Sequence, residues 1–184
     1  RRLDRLITDI SNASRLEAEF ARTPRVPVDI GDFILEVVET YGPQSTTGDG
    51  EPTLAYVDET FDAGLIVSGR KGPLGQVLRN LIDNALSFSP AAGSVIVYLE
   101  QGANGPQTLA RLRVEDDGPG IPEDKVEQIF ERFYTDREGS KAKGNNSGLG
   151  LSIVKQIVDS HHGRVYAENR ETGGARFVVE LPAD

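Results

Sequence analysis

Apolar residues recur along the chain with two periods, one of three to four residues and one of two, and the segments so marked alternate. Leu3, Leu6, Ile7, Ile10, Ala13, Leu16 and Phe20 stand at helical steps among charges, which predicts a helix over 1–22 with one apolar stripe, ended by Thr23-Pro24. After a short strand at 25–28, Asp29 caps a helix reaching about residue 41, with Phe33, Ile34, Val37 and Val38 turned inward. A polar loop leads to strands at 53–57 and 65–68, a helix at 73–88, and longer strands at 94–100 and 108–115 around a turn containing Gly, Asn and Pro. A short helix is expected at 123–130. Residues 134–146 are polar, charged and glycine-bearing with no apolar period, which is the character of a lid. A helix at 148–161 and strands at 164–169 and 176–181 close the chain, so the class is an α/β sandwich without internal repeats.

The stripe on the first helix needs a partner, which is either the rest of the domain or a second helix of a dimerisation bundle. At 184 residues and 38% hydrophobic content, the chain supports one core plus an appendage. Cysteine is absent, and two histidines, His161 and His162, offer little to a structural zinc site. A net charge of −9 argues against a nucleic-acid surface, although Arg137, Lys141 and Lys143 cluster before a glycine pair and suit a local phosphate contact. No apolar run is long enough to span a bilayer, so no direct membrane contact is expected of this segment. The lack of any methionine, an initiator included, is expected of a piece of a longer or processed protein.

Three segments carry chemistry. On the helix at 73–88, Gln76, Asn80, Asn84 and Ser87 form a polar stripe beside the apolar face. Asparagine is a mediocre residue inside a helix, so the stripe is either a solvated face or a source of amide oxygens for a magnesium ion that completes its shell with water and phosphate. Asp116-Asp117-Gly118-Pro119-Gly120 ends a strand with a carboxylate able to accept from an exocyclic amine, and its glycines let the backbone approach a flat base; the rival is a plain Asp-Gly turn. The alternating ligands and closing glutamate of a calcium loop are missing. Gly148-Leu149-Gly150 opens the last helix, where free N–H groups and the helix dipole favour phosphate; it is neither a P-loop nor a dinucleotide fingerprint.

In order, Asn80-Leu81-Ile82-Asp83-Asn84-Ala85 resembles an asparagine box, Asp116-x-Gly118-x-Gly120 a first glycine box, Phe130-Glu131-Arg132-Phe133-Tyr134 a phenylalanine box and Gly148-Leu149-Gly150-Leu151 a second glycine box. Together they make the chain similar to the ATP-binding catalytic domain of sensor histidine kinases, with a narrower likeness to the ChvG type. The resemblance implies a two-layer α/β sandwich of the Bergerat kind, with a mixed sheet of about five strands and three main helices. It divides the chain into 1–23, the end of the second dimerisation helix, and 24–184, the catalytic domain with an ATP lid at 134–147. The implied ligands are ATP and Mg2+, with Asn84 on the metal and Asn80 beside it. Asp116 would read the adenine amine, Phe88 would face the base, and Gly118, Gly120 and Ile121 would form its pocket. Tyr134, Arg137 and Ser147 would belong to the lid, and Gly148, Leu149, Gly150 and Leu151 to the phosphate-binding helix start. His161 and His162 match a structural His-Gly of the family, and the phosphoacceptor histidine is not in this chain.

The sequence departs from the family pattern at Ser87, Thr135 and Asn146, where a basic residue, an arginine and a glycine are usual; Arg137, Lys141 or Lys143 can supply the missing charge. The implied activity is that of a protein-histidine kinase, presenting the γ-phosphate to its own dimerisation hairpin for transfer to a response regulator receiver domain. The implied setting is the cytoplasmic part of a homodimeric bacterial inner-membrane protein. A non-catalytic nucleotide sensor and an anti-sigma-type serine kinase of the same fold are the alternatives.

Overall fold

A computed structural model describes residues 23–42, 51–60, 64–132, 134 and 148–184. The helix expected over 1–22, the polar loop after residue 42 and all of the lid except Tyr134 lie outside the described residues. Among the described residues, seven strands and three α-helices follow in order: β1 (Val26–Asp29), α1 (Ile30–Glu39), β2 (Thr53–Asp58), β3 (Ile66–Gly69), α2 (Lys71–Phe88), β4 (Ser94–Asn104), β5 (Gln107–Asp116), α3 (Gly150–Ser160), β6 (Arg164–Asn169) and β7 (Ala175–Ala183).

Five strands form one mixed sheet in the order β2-β4-β5-β7-β6, parallel only between β2 and β4, while β1 and β3 make a small antiparallel pair. A parallel pair needs a crossover, and the chain between β2 and β4 makes it through β3 and α2. The sheet alternates as a one-sided sheet must. Val95, Val97, Leu99, Leu112, Val114, Phe177 and Val179 are buried under the helices. Leu74, Val77, Leu78, Leu81, Ile82 and Ala85 of α2 and Val154, Ile157 and Val158 of α3 meet them at helical spacing. The other face is covered by a charged lattice instead of a third layer. Arg111 pairs with Glu180 (2.8 Å) and Glu100 (3.1 Å), Arg113 with Glu59 (2.7 Å), and Arg176 with Glu115 (2.7 Å) and Glu168 (2.8 Å). Pairs at the solvent edge of this lattice, such as Arg176–Glu168, contribute about 1 kcal/mol or less each, while Glu115 is buried among its arginines.

Local chemistry sets the element ends. Asp29 caps α1 through Oδ1, which accepts from the N–H groups of Gly31 (3.0 Å) and Asp32 (3.2 Å). α2 begins at Lys71, ahead of the expected Pro73, because a proline in the first turn lacks only an N–H that has no helical acceptor. The β4–β5 hairpin is tighter than expected, with Asn104 paired to Gln107 around Gly105 (φ +58°) and Pro106. The expected short helix is two 3₁₀ turns, Glu123–Lys125 and Gln128–Phe130. The last helix starts at Gly150, since Gly148 at φ +74° cannot belong to it.

His161 joins α3 to the start of α2. Its Nδ1 lies 2.8 Å from the Ile157 carbonyl and its Nε2 accepts from the Arg70 N–H at 3.1 Å, which fixes one neutral tautomer in a side chain only 3% exposed. Gly163 follows because a Cβ there would collide with the Glu180 carbonyl. The His-Gly pair is therefore structural. Burial, aided by Arg25, Arg70 and His162 nearby, holds the His161 pKa below its ordinary 6.5. The unfolded chain takes up a proton there before the folded one, so stability is complete above about pH 6.5 and falls as pH drops toward the depressed value. In urea unfolding, His161→Gln is expected to cost about 1–3 kcal/mol at pH 7.5 and to lose less further stability than wild type between pH 7.5 and 5.5.

Candidate functional site

The proposed site residues gather at one end of the sandwich, where β5 ends, α2 ends and α3 begins. Asp116 is the last residue of β5 and only 3% exposed. Its Oδ1 accepts from the N–H groups of Gly118 (2.8 Å) and Ala175 (3.1 Å), while its Oδ2 has no hydrogen bond among the described residues. Burial pushes this carboxyl above its ordinary value, and the two N–H groups and Arg170 pull the other way. Asp117 differs in kind. Its Oδ1 meets Arg170 (2.8 Å) and its Oδ2 accepts from Ser94 N–H (2.8 Å) and Oγ (2.7 Å), which hold its pKa below the ordinary value. Asp117 is thus bound into the fold, and Asp116 keeps an unused acceptor.

The glycines beside it are fixed by space. A Cβ at Gly118 would stand 2.8 Å from Asp116 Oδ1 and 3.0 Å from the Phe88 carbonyl. Gly120 has φ +79°, and a Cβ there would meet Asn169 Oδ1 at 2.7 Å. The turn therefore packs backbone to backbone against the end of α2, where the Phe88 ring is 38% exposed. Ile121 packs partly against the core.

On α2, Asn80 and Asn84 are both half-buried. Asn80 Nδ2 donates to the Gly150 carbonyl at 3.1 Å, so this residue ties α2 to the first residue of α3. Asn84 has no side-chain hydrogen bond among the described residues, and its carbonyl accepts from Ser87 Oγ at 2.8 Å. Among the described residues no three His, Cys, Asp or Glu side chains form a metal cluster, so a cation here would draw on amide oxygen, water and phosphate.

α3 opens at the same end. Leu149, at its N-cap, provides no side-chain cap and the first turn holds no acid, so among the described residues no side chain takes up the opening N–H groups or opposes an anion there. Leu149 is 7% exposed and Leu151 packs partly on the core, so their side chains anchor the helix start and only their backbone can face a ligand. Tyr134 packs against the core, as does Phe130, whose ring stands edge-on to Phe177 with centroids 6.4 Å apart. Arg137 and Ser147, together with Lys141 and Lys143, lie outside the described residues.

Sequence reasoning found both strands of the β6–β7 hairpin and missed what its turn does at the site. Asn169 accepts from Ile121 N–H and donates to the Ile121 carbonyl, both at 2.7 Å. Arg170 donates to the Asp116 carbonyl at 2.6 Å and faces Glu115 at 3.2 Å. The one signal was the pair Gly173-Gly174, both at positive φ. Gly173 faces open space, whereas a Cβ on Gly174 would collide with the Asp116 carbonyl. Gly174→Ala is accordingly expected to destabilise by about 3 kcal/mol and Gly173→Ala by about 1 kcal/mol, the difference in urea unfolding reporting the collision alone.

Residues 69–184 match the family described as histidine kinase-, DNA gyrase B-, and HSP90-like ATPase. Along its whole length the chain is 45% identical to the sensor protein ChvG of Rhizobium meliloti (strain 1021), and it spans about a third of that protein, 32%. Among solved structures it is similar to the catalytic domain of histidine kinase ThkA, at 28% identity and TM-score 0.69, covering 87% of this chain and 98% of that one. ThkA in complex with the response regulator protein TrrA matches at 26% identity and TM-score 0.70, over 99% of this chain and 48% of that one. Full-length ShkA in complex with AMPPNP matches at 28% identity and TM-score 0.73, over 98% and 36%.

Proposed function

Because the chain belongs to the family of histidine kinase-, DNA gyrase B-, and HSP90-like ATPases, and within it to the sensor histidine kinases, we propose that its open end is an Mg-ATP site that presents the γ-phosphate to a histidine on a separate helix. The observation that carries this is the second oxygen of Asp116, an unused acceptor on a carboxylate 3% exposed. That oxygen is not fully enclosed, so at the open end of the site a ligand amine would take the place of solvent on it. The chemistry of the described residues suits both ends of a nucleotide. Asp116 Oδ2 would accept from the adenine amine, with loop 118–121 against one side of the base and Phe88 near its edge. The bare start of α3 would receive phosphates, and Asn80 would hold that start against α2.

Asn84, whose side chain has no hydrogen bond among the described residues and which lies on the same face of α2 as Asn80, would contribute an amide oxygen to Mg2+. When bound, the ion neutralises phosphate oxygens as charge shifts between them. The protein's own part is positioning: one end of the nucleotide fixed by a buried carboxylate, the other by backbone donors, with no nucleophile of its own. The lid, 134–147, would add Tyr134, Arg137 and Ser147, and its basic residues would replace the charge missing at Ser87. That serine instead closes the last turn of α2.

For the whole protein we propose a homodimer whose dimerisation hairpin, ended by residues 1–23, carries the phosphoacceptor histidine. A response regulator receiver domain would take the phosphoryl group, as the ThkA–TrrA complex suggests for that kinase. No described helix is long and apolar enough to cross a membrane. For the whole protein we propose an inner-membrane setting, with residues 24–184 on the cytoplasmic side.

Calorimetric titration tests the site. Wild type is expected to bind ATP in the micromolar to sub-millimolar range, and Asp116→Asn to abolish binding while melting no lower than wild type, because a neutral amide escapes the burial penalty on the charge. Asn84→Ala is expected to remove the magnesium dependence of ATP affinity while metal-free binding stays within about twofold; an unchanged magnesium dependence would remove Asn84 from the metal site.

A further inference from the structure

Three consecutive acids end β5 and start the glycine turn, and one guanidinium reaches all three residues. Arg170 Nε faces the Glu115 carboxylate (3.2 Å), while its Nη1 donates to the Asp116 carbonyl (2.6 Å) and to Asp117 Oδ1 (2.8 Å). Its hydrogen bonds go to the Asp117 carboxylate and to the peptide of Asp116, its ion pair goes to Glu115, and among the described residues none of its hydrogen bonds goes to the Asp116 carboxylate itself. That carboxylate is held only by two backbone N–H groups, one of them from Ala175 on the same hairpin. Arg170 therefore fixes the peptide from which Asp116 hangs without covering its free oxygen.

Beyond Asp117 the chain has little of its own to fix it, since loop 118–121 contains two glycines, Gly120 at φ +79°. Asn169 supplies the missing restraint. Its amide meets both backbone groups of Ile121 at 2.7 Å, as the next strand of a ladder would, and so pins the far end of the loop. The hairpin itself is closed by Arg170 N–H to the Gly174 carbonyl (3.0 Å) and Gly173 N–H to the Arg170 carbonyl (3.1 Å). A hydrogen bond weakens steeply beyond its narrow distance and angle range, so the discrimination one carboxylate oxygen can make depends on how firmly the peptide and loop around it are held.

We propose that Asn169 and Arg170 are positioning residues for base recognition, locking Asp116 and loop 118–121 so that the site takes a 6-aminopurine nucleotide and rejects a 6-oxopurine one, which rests on Asp116 as the group that meets the base. A clamp that served stability alone would lower affinity for every purine nucleotide together. A clamp that aims the acceptor affects the amine-bearing one selectively, because only that ligand uses the aim.

The test is titration of the 184-residue chain with ATP and with inosine triphosphate, for wild type, Asn169→Ala and Arg170→Lys, each well below its melting temperature. Wild type is expected to favour ATP by tenfold or more. Asn169→Ala is expected to lose about tenfold in ATP affinity while inosine triphosphate stays within about twofold. Arg170→Lys keeps the charge and loses the fork, so it should fall between. If Asn169→Ala does not fold, Asn169→Asp, which keeps the acceptor for Ile121 N–H and loses the donor, takes its place with the same criterion. Equal losses for both nucleotides in the variants, or no change in either, would overturn the positioning role alone. A wild type that bound the two nucleotides equally would instead overturn Asp116 as the base-reading group, and this proposal with it.

Discussion

The site depends on keeping one carboxylate charged in a place where burial opposes it. Asp116 sits at the edge of the apolar layer, where desolvation favours the neutral acid; among the described residues its hydrogen bonds are two backbone N–H groups on one oxygen, and the Arg170 charge adds to them. The neighbouring acids could not share the region without help. Glu115 is drawn to the outer face by Arg113, Arg170 and Arg176, and Asp117 is tied off by Arg170 and Ser94. Strand alternation makes the separation possible, because consecutive residues at the end of β5 point to opposite faces of the sheet. The charged lattice on the outer face thus has a use beyond solubility, since it takes up the cations and leaves the inward carboxylate with an unused oxygen.

The two ends of the site rest on different supports. Asp116 and its glycine turn are backed by the β6–β7 hairpin, while the start of α3 is backed by Asn80 from α2. The helices pack on the same face of the sheet, so the separation of the two ends is set by the core and by none of the loops. That suits a site whose task is positioning, where rigid elements hold the donors and a lid supplies adjustable charge.

The sheet and helices were largely legible in the sequence, because alternation in β4, β5 and β7 and the helical spacing in α1, α2 and α3 are strong local patterns. Their ends were less so. Pro73 and Gly148 read as helix starts, yet a proline is tolerated inside a first turn and a glycine at φ +74° is excluded from one, and neither fact is visible from residue type. The four boxes named the segments that converge, and the structure does bring Asn80, Asn84, Phe88, Asp116, Gly118 and Gly150 to one end. Asn169, Arg170 and Gly174 stayed hidden because their meaning is entirely tertiary: an amide mimicking a strand, a guanidinium shared among three residues, and a hydrogen in place of a side chain against a distant carbonyl. The partners of Leu149 and Leu151 were hidden for the same reason, and their side chains belong to the core.

The most direct test of Asp116 as the base-reading group is a crystal structure of this chain with a non-hydrolysable ATP analogue and magnesium. The account predicts the adenine amine within hydrogen-bond distance of Asp116 Oδ2, phosphates at the bare start of α3, and the ion on Asn84 Oδ1. An analogue bound with Asp116 Oδ2 still unpartnered, or with its base away from loop 118–121, would contradict it.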